Sequence, residues 1–437
     1  MKQLLKIIVV CACIQSQAQT SLSPAITSWV RNTTGATGYN NLPSNVQTVQ
    51  YSSTQVYVSA SSIPDYSIGP WSANPNLPTN QNLVCKFTLA PTQNTGAAIF
   101  TALGNIGLWS NGVAMFNPKD GQYWNSGTNA FSMGFTNTGF NRNALVYEGV
   151  SFDNCLGHPA PGGAYHNHVN PSCLYNSTLT TVHSPIIGYA FDGYPVYGAY
   201  GYSTPTNSTS AIKRMVSSFV LAPSTGSVLL GANTASAASS PTAATTRNSG
   251  PPVNTNYPLG NMCEDYVYTP GTGDLDDHNG RYCVTPEYPN GTYAYFVTIS
   301  STGTPLYPFV LGPSYYGTVQ SGNTGPGGGH VTITEATTVY TGTTTTVGIL
   351  ESNLLNIKCE VLPNPSSDML FIQMDMESVN NVKGYLYDQT GKEVKHLDFL
   401  QPSIGYTLDM RDLTAGVYSL VLLTDHQKIT RKIIKSN

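Results

Sequence analysis

Between residues 19 and 351 the chain places only 21 charged side chains among 333 positions, 8 Lys or Arg and 13 Asp or Glu. Residues 358–437 carry 19 among 80. An ordinary soluble domain is roughly 25% charged, so the short segment is ordinary and the long one is not. The long segment draws its polarity from Gly, Ser, Thr, Asn and Pro, and from 24 of the 28 tyrosines. These are residues of turns and strands. The expectation is a mainly β chain: a large, loop-rich β domain over 19–335, a Thr-rich linker over 336–357, and a small Ig-like β-sandwich over 358–437. A net charge of −4 and a pI near 6.0 leave no basic field to hold nucleic acid or anionic lipid. Mean hydropathy is −0.14 and no run of about 20 apolar residues occurs, so no transmembrane span is expected.

The first residues set the compartment. Lys2 and Lys6 flank an apolar stretch from Leu4 to Ile14, and Ser16-Gln17-Ala18 offers small residues at a cleavage site. This pattern predicts a signal peptide over 1–18, removed after Ala18. Export permits disulfides. Six cysteines follow: Cys85, Cys155, Cys173, Cys263, Cys283 and Cys359. Fifteen connectivities are open to them, of which Cys155/Cys173 and Cys263/Cys283 are the economical pairs, each worth about 3 kcal/mol by loop entropy. Cys359 is then expected free and Cys85 unpaired. The Ser-, Thr- and Ala-rich stretch Ser203–Asn256 reads as a long insertion within one domain, because Ile212 to Leu221 alternates as a strand.

Histidine placement is the sharpest chemical signal. Of eight histidines, five fall between positions 158 and 278: His158, His166, His168, His183 and His278. In a strand, residues i and i+2 share a face, so His166 and His168 can present two imidazoles to one ion. With His183 they are the expected ligands of a transition metal, copper or zinc. His158, Asp192 and His278 are expected as further ligands or as groups that orient them. Other readings stand beside this one. In one, the histidines belong to a polar, hydrogen-bonded core network of His, Tyr and Asn that rigidifies loops. Asp274, Asp276 and Asp277 suggest calcium, although the EF-hand spacing fails at Asn279 and Thr285. Asp192 and Glu287 suit an acid/base pair. Trp71, Trp109 and Trp124 with the tyrosines are expected to form the core and line a cleft, which would suit a binding module for a glycan, another small molecule or a surface partner. No nucleophile elbow, His-Glu-x-x-His, Walker or Rossmann pattern occurs, and whether the chain is an enzyme is left open.

Two ordered motif strings carry resemblances. Tyr165-His166-Asn167-His168, the run His183-Ser184-Pro185 through Asp192-Gly193-Tyr194-Pro195, and Gly273-Asp274-Leu275-Asp276-Asp277-His278-Asn279-Gly280-Arg281 together resemble the YHYH protein family over about 100–317. The chain departs from that pattern: the second tyrosine of the first element is Asn167, and a later element reads Tyr293-Ala294-Tyr295-Phe296 without histidine. Separately, Leu362-Pro363-Asn364-Pro365, Leu413-Thr414-Ala415-Gly416-Val417-Tyr418 and Lys432-Ile433-Ile434-Lys435 resemble the C-terminal sorting domain of the type IX secretion system. That resemblance implies recognition of 358–437 by the secretion machinery, export across the outer membrane of a Gram-negative, Bacteroidetes-type host, and display on the cell surface or release.

Overall fold

The computed structural model describes residues 22–222, 229–230, 246–247, 249–324, 328–342, 358–375, 382–388, 392–399, 406–424 and 428–436. The expected signal peptide, the middle of the Ser203–Asn256 stretch and most of the Thr-rich linker lie outside these residues. The chain is mainly β and divides into two compact units, Met1–Ile349 and Leu350–Asn437.

An eight-stranded mixed sheet organises the first unit. In chain order its strands are β1 (Asn105–Trp109), β2 (Ala114–Phe116), β3 (His158–Pro159), β4 (Tyr165–Asn167), β5 (Ile186–Ala190), β6 (Pro195–Tyr197), β7 (Gly280–Cys283) and β8 (Thr292–Phe296). They lie side by side as β7-β8-β6-β5-β1-β2-β4-β3. The pairs β2/β4 and β6/β8 are parallel and the others antiparallel. The central strand β5 is buried at every position, so it reads as a continuous apolar run rather than an alternating one. Gly107 and Gly188 are required at its contact with β1. A Cβ on either would lie 2.5 or 2.6 Å from a carbonyl oxygen of the facing strand, and the Met115 side chain crosses both.

A four-stranded sheet, ordered Thr338–Val339, Val46–Tyr51, Gln55–Ala60, Leu83–Thr88, contributes to the same core. Leu83, Cys85 and Phe87 point inward by strict alternation. Trp29 sits at the centre, its ring 5.3 Å from Phe87 and 5.4 Å from Tyr189. Of the three tryptophans expected in the core, only Trp109 is fully enclosed there. Trp71 packs at its margin, held by Asp153, and Trp124 belongs to a satellite cluster with Phe140, Ala222 and Met262. The expected linker begins as a strand: Thr338–Val339 pairs with Val46–Tyr51, and Arg31 donates to the carbonyls of Tyr340 and Gly342. The single strand expected over Ile212 to Leu221 is two. Ile212–Arg214 pairs with Tyr200–Tyr202 and Phe219–Leu221 with Tyr266–Tyr268, so both sides of the Ser-, Thr- and Ala-rich stretch join one unit.

Cys155 and Cys173 form a disulfide across 18 residues. The second expected pair does not form, and Cys263 and Cys283 are free and buried. They belong to different elements. Cys263 opens a short 3-10 turn and its thiol meets Pro118 O at 3.5 Å, whereas Cys283 ends β7 opposite Thr292. Cys85 is free, as expected, and Cys359 lies outside the described side chains.

The second unit pairs a three-stranded sheet (Lys358–Leu362, Met369–Asp375, Tyr406–Asp409) with a four-stranded one (Val382–Tyr387, Glu393–Phe399, Gly416–Thr424, Lys428–Lys435). Both are antiparallel and share a core that includes Leu370, Ile372, Leu386, Leu408, Leu420 and Ile433. The Tyr418 hydroxyl donates to Thr414 O at 2.7 Å and pins the turn before its strand.

Candidate metal centre

Strands β3 and β4 form an antiparallel hairpin in which His158 faces His166 across the ladder. The turn between them uses Gly162 and Gly163 at φ of 90° and 85°, a left-handed conformation that favours glycine. Gly163 N–H donates to Ala160 O at 2.9 Å and closes that turn. On its other edge β4 runs parallel to β2, which places His166 beside Ala114. His168 lies just past the end of β4 and shares the face of His166.

The three rings converge. His166 Nε2 is 3.0 Å from His158 Nε2 and 3.0 Å from His168 Nε2, and all three ligand nitrogens lie within 4.8 Å of one another. Each side chain is buried. The remaining nitrogens fix the tautomers. His166 Nδ1 faces Ala164 O at 3.0 Å and His168 Nδ1 faces Asn117 O at 2.5 Å. A carbonyl only accepts, so both Nδ1 atoms carry the hydrogen. His158 Nδ1 lies 2.7 Å from Ser151 Oγ, whose own hydrogen is given to Glu148 O at 2.7 Å. Ser151 must therefore accept from His158 Nδ1–H. In their neutral forms the three rings therefore turn Nε2 lone pairs toward one place.

Lone pairs 3.0 Å apart repel unless a cation lies among them. A proton is poorly suited to the task. Burial, with the neighbouring His168 ring adding to it, pushes the His158 pKa down to about 4. Burial, with His168 and His158, pushes His166 well below the usual imidazole range. Phe116 stacks on His166 at 3.8 Å and Phe152 lies edge-on to His158 at 4.8 Å, so apolar rings flank the group. The group can hold a metal ion.

The three histidines open onto a cavity of about 570 Å³ whose wall also includes Asn74, Phe116, Asp120, Tyr147 and Glu148. Glu148 follows the short helix Ala144–Tyr147. Its Oε2 lies 3.2 Å from His168 Nε2 and 3.7 Å from His158 Nε2.

The other expected site residues lie elsewhere. His183 packs against Tyr197, Tyr202 and Phe296, with ring centroids 5.1, 4.9 and 6.1 Å away. Its Nδ1–H donates to Ser184 O at 2.7 Å, its Nε2 is buried without a partner, and burial pushes its pKa down to about 4. Asp192 accepts the Tyr295 hydroxyl at 2.6 Å and the amides of Gly317 and Tyr194 at 2.8 and 3.2 Å, and burial raises its pKa to about 6. His278 Nδ1 lies 3.1 Å from Ser314 O. Of the acidic loop, Asp274 pairs with Lys213 at 2.7 Å while Asp276 accepts the Tyr293 hydroxyl at 2.9 Å. Glu287 accepts from Tyr197 at 2.9 Å, so it and Asp192 serve different tyrosines. His158, expected as a further ligand or an orienting group, lies within the converging group. Glu148 was missed, and a lone carboxylate ten positions before a histidine gives no sequence signal.

A buried triad of histidines on a mixed β sheet and, in the second unit, a small β-sandwich define a two-unit β protein with a candidate metal centre. The family model for YHYH protein matches residues 84–307, more than half of the chain, and the chain belongs to that family. The model for the secretion system C-terminal sorting domain matches residues 360–436, which marks the protein for export to the surface or the medium. Comparison with curated proteins finds no match.

Proposed function

We propose that the YHYH domain holds one transition-metal ion, copper or zinc, on His158, His166 and His168. The observation that carries this reading is the convergence of three Nε2 lone pairs, each fixed by a committed Nδ1–H. Imidazole nitrogens suit copper, zinc, iron and nickel. Three protein donors beside a cavity leave a coordination position open, as in exchangeable sites rather than closed structural ones. The sorting domain would deliver the centre to the cell surface through the type IX machinery of a Gram-negative, Bacteroidetes-type host.

The test is bound-metal analysis by mass spectrometry on the full chain, folded in an oxidising periplasm. The expected result is about one ion per chain, lost in the His166→Ala/His168→Ala double variant and kept in His183→Ala. A folded wild-type chain that takes up neither copper nor zinc would sink the reading.

A second reading has its own observation. Tyr194, Tyr282, Tyr288, Tyr293 and Tyr316 line a separate cavity of about 290 Å³, and Tyr282 is 61% exposed. Exposed rings suit stacking on sugars. Binding on a glycan array, abolished in Tyr282→Ala, would support a glycan-binding role.

A further inference from the structure

Glu148 stands out because it shares the problem of the three histidines. With His168 Nδ1–H committed to Asn117 O, a neutral His168 turns its Nε2 lone pair toward Glu148 Oε2, 3.2 Å away. Glu148 Oε2 is buried and makes no hydrogen bond. A buried carboxylate oxygen without a donor is costly, and this one faces two more lone pairs. Four electron-rich atoms thus form a ring, His158–His166–His168–Glu148, with successive edges of 3.0, 3.0, 3.2 and 3.7 Å.

Donors bound at 2.0–2.1 Å to one ion stand about 2.9 Å apart at right angles and about 3.4 Å apart at tetrahedral angles. Three of the four edges already lie in that span. The fourth closes with a small swing of the Glu148 side chain, which is 29% exposed and borders the cavity.

We infer that Glu148 is a fourth ligand, giving a three-histidine, one-carboxylate centre whose remaining position opens on the cavity and takes a small anion. This rests on the metal-binding reading above. Three neutral imidazoles and one carboxylate leave a divalent ion with a net charge of about +1, which an anion neutralises. The cavity is of a size that holds a small molecule.

The experiment uses the full chain loaded with copper(II), with azide as the probe anion. Calorimetric titration and electron paramagnetic resonance compare wild type with Glu148→Gln, which keeps the shape and removes the charge. Expected are a 10- to 100-fold weaker copper affinity in the variant, about the range for groups that tune a site; a shifted parallel hyperfine splitting; and retained coupling to three nitrogens. Azide should add a charge-transfer band to the wild type. An unchanged affinity and spectrum in Glu148→Gln would remove Glu148 from the ligand set, and an absent azide band would close the open position. If Glu148→Gln does not fold, Glu148→Ala, which also removes the carboxylate, carries the same comparison. Wild-type protein that binds no copper fails the earlier reading, a result distinct from either of these.

Discussion

Replacing His183 with leucine separates acid stability from metal binding. His183 is 5% exposed, and its pKa falls from the ordinary 6.5 to about 4 in the fold, chiefly by burial. A base whose folded pKa is depressed contributes stability that is whole above 6.5 and is lost as pH falls toward 4, because the unfolded chain takes up the proton first. At 1.36 kcal/mol per pH unit the His183 share of the loss is about 2 kcal/mol between pH 7.5 and pH 5. Leucine removes that titration together with the bond from Nδ1 to Ser184 O. The second loss costs about 1 kcal/mol and does not vary with pH. Asp192 titrates with the opposite sign in an overlapping window, since its pKa rises to about 6, so the wild-type slope alone decides nothing. Urea denaturation of both proteins from pH 7.5 to 5 gives the difference. The expected variant starts less stable and loses about 2 kcal/mol less on acidification. Its metal content equals that of the wild type. Parallel stability curves would refute the buried neutral imidazole, and lost metal would refute the placement of His183 outside the centre.

Other expected outcomes follow from buried groups. Cys155→Ser/Cys173→Ser should lower unfolding stability by about 3 kcal/mol, the loop-entropy value for a closure across 18 residues, as read by chemical denaturation. Arg247 binds Asp265 through two bonds of 2.6 and 2.7 Å with both side chains fully enclosed. Arg247→Met leaves that carboxylate uncompensated and should cost about 3–5 kcal/mol, visible as a lower denaturation midpoint. Asp192→Ala strands the Tyr295 hydroxyl and two amides. At about 1–3 kcal/mol per unsatisfied group, it should melt well below wild type at neutral pH.

The β class was legible because turn formers replace charge through most of the chain, and the His166/His168 pairing was legible because a strand alternates with period two. What the sequence concealed was register and sheet order. His158 joins His166 only because a glycine turn sets their hairpin. His183 is excluded because β5 and β4 are separated by β1 and β2, a span of roughly 14 Å at the usual strand spacing. Cys263 and Cys283 stand 20 positions apart in sequence, close to the 18 of the real disulfide, yet their different elements part them. Glu148 sits at the end of a four-residue helix with no periodic pattern to mark it, and only the folded geometry turns it toward the histidines.

The bridge between Cys155 and Cys173 encloses His158, His166 and His168 within a single covalent ring of chain. In a reducing cytoplasm that ring is open, and the segment that carries the three imidazoles lacks its covalent closure. Oxidation after export closes the ring and brings the donors to readiness. On the metal-binding reading proposed above, the expected order of assembly is thiol oxidation first and ion capture second. A centre built this way draws its metal from the supply outside the cytoplasmic membrane, and the same chain produced in a reducing cytosol would emerge poor in metal.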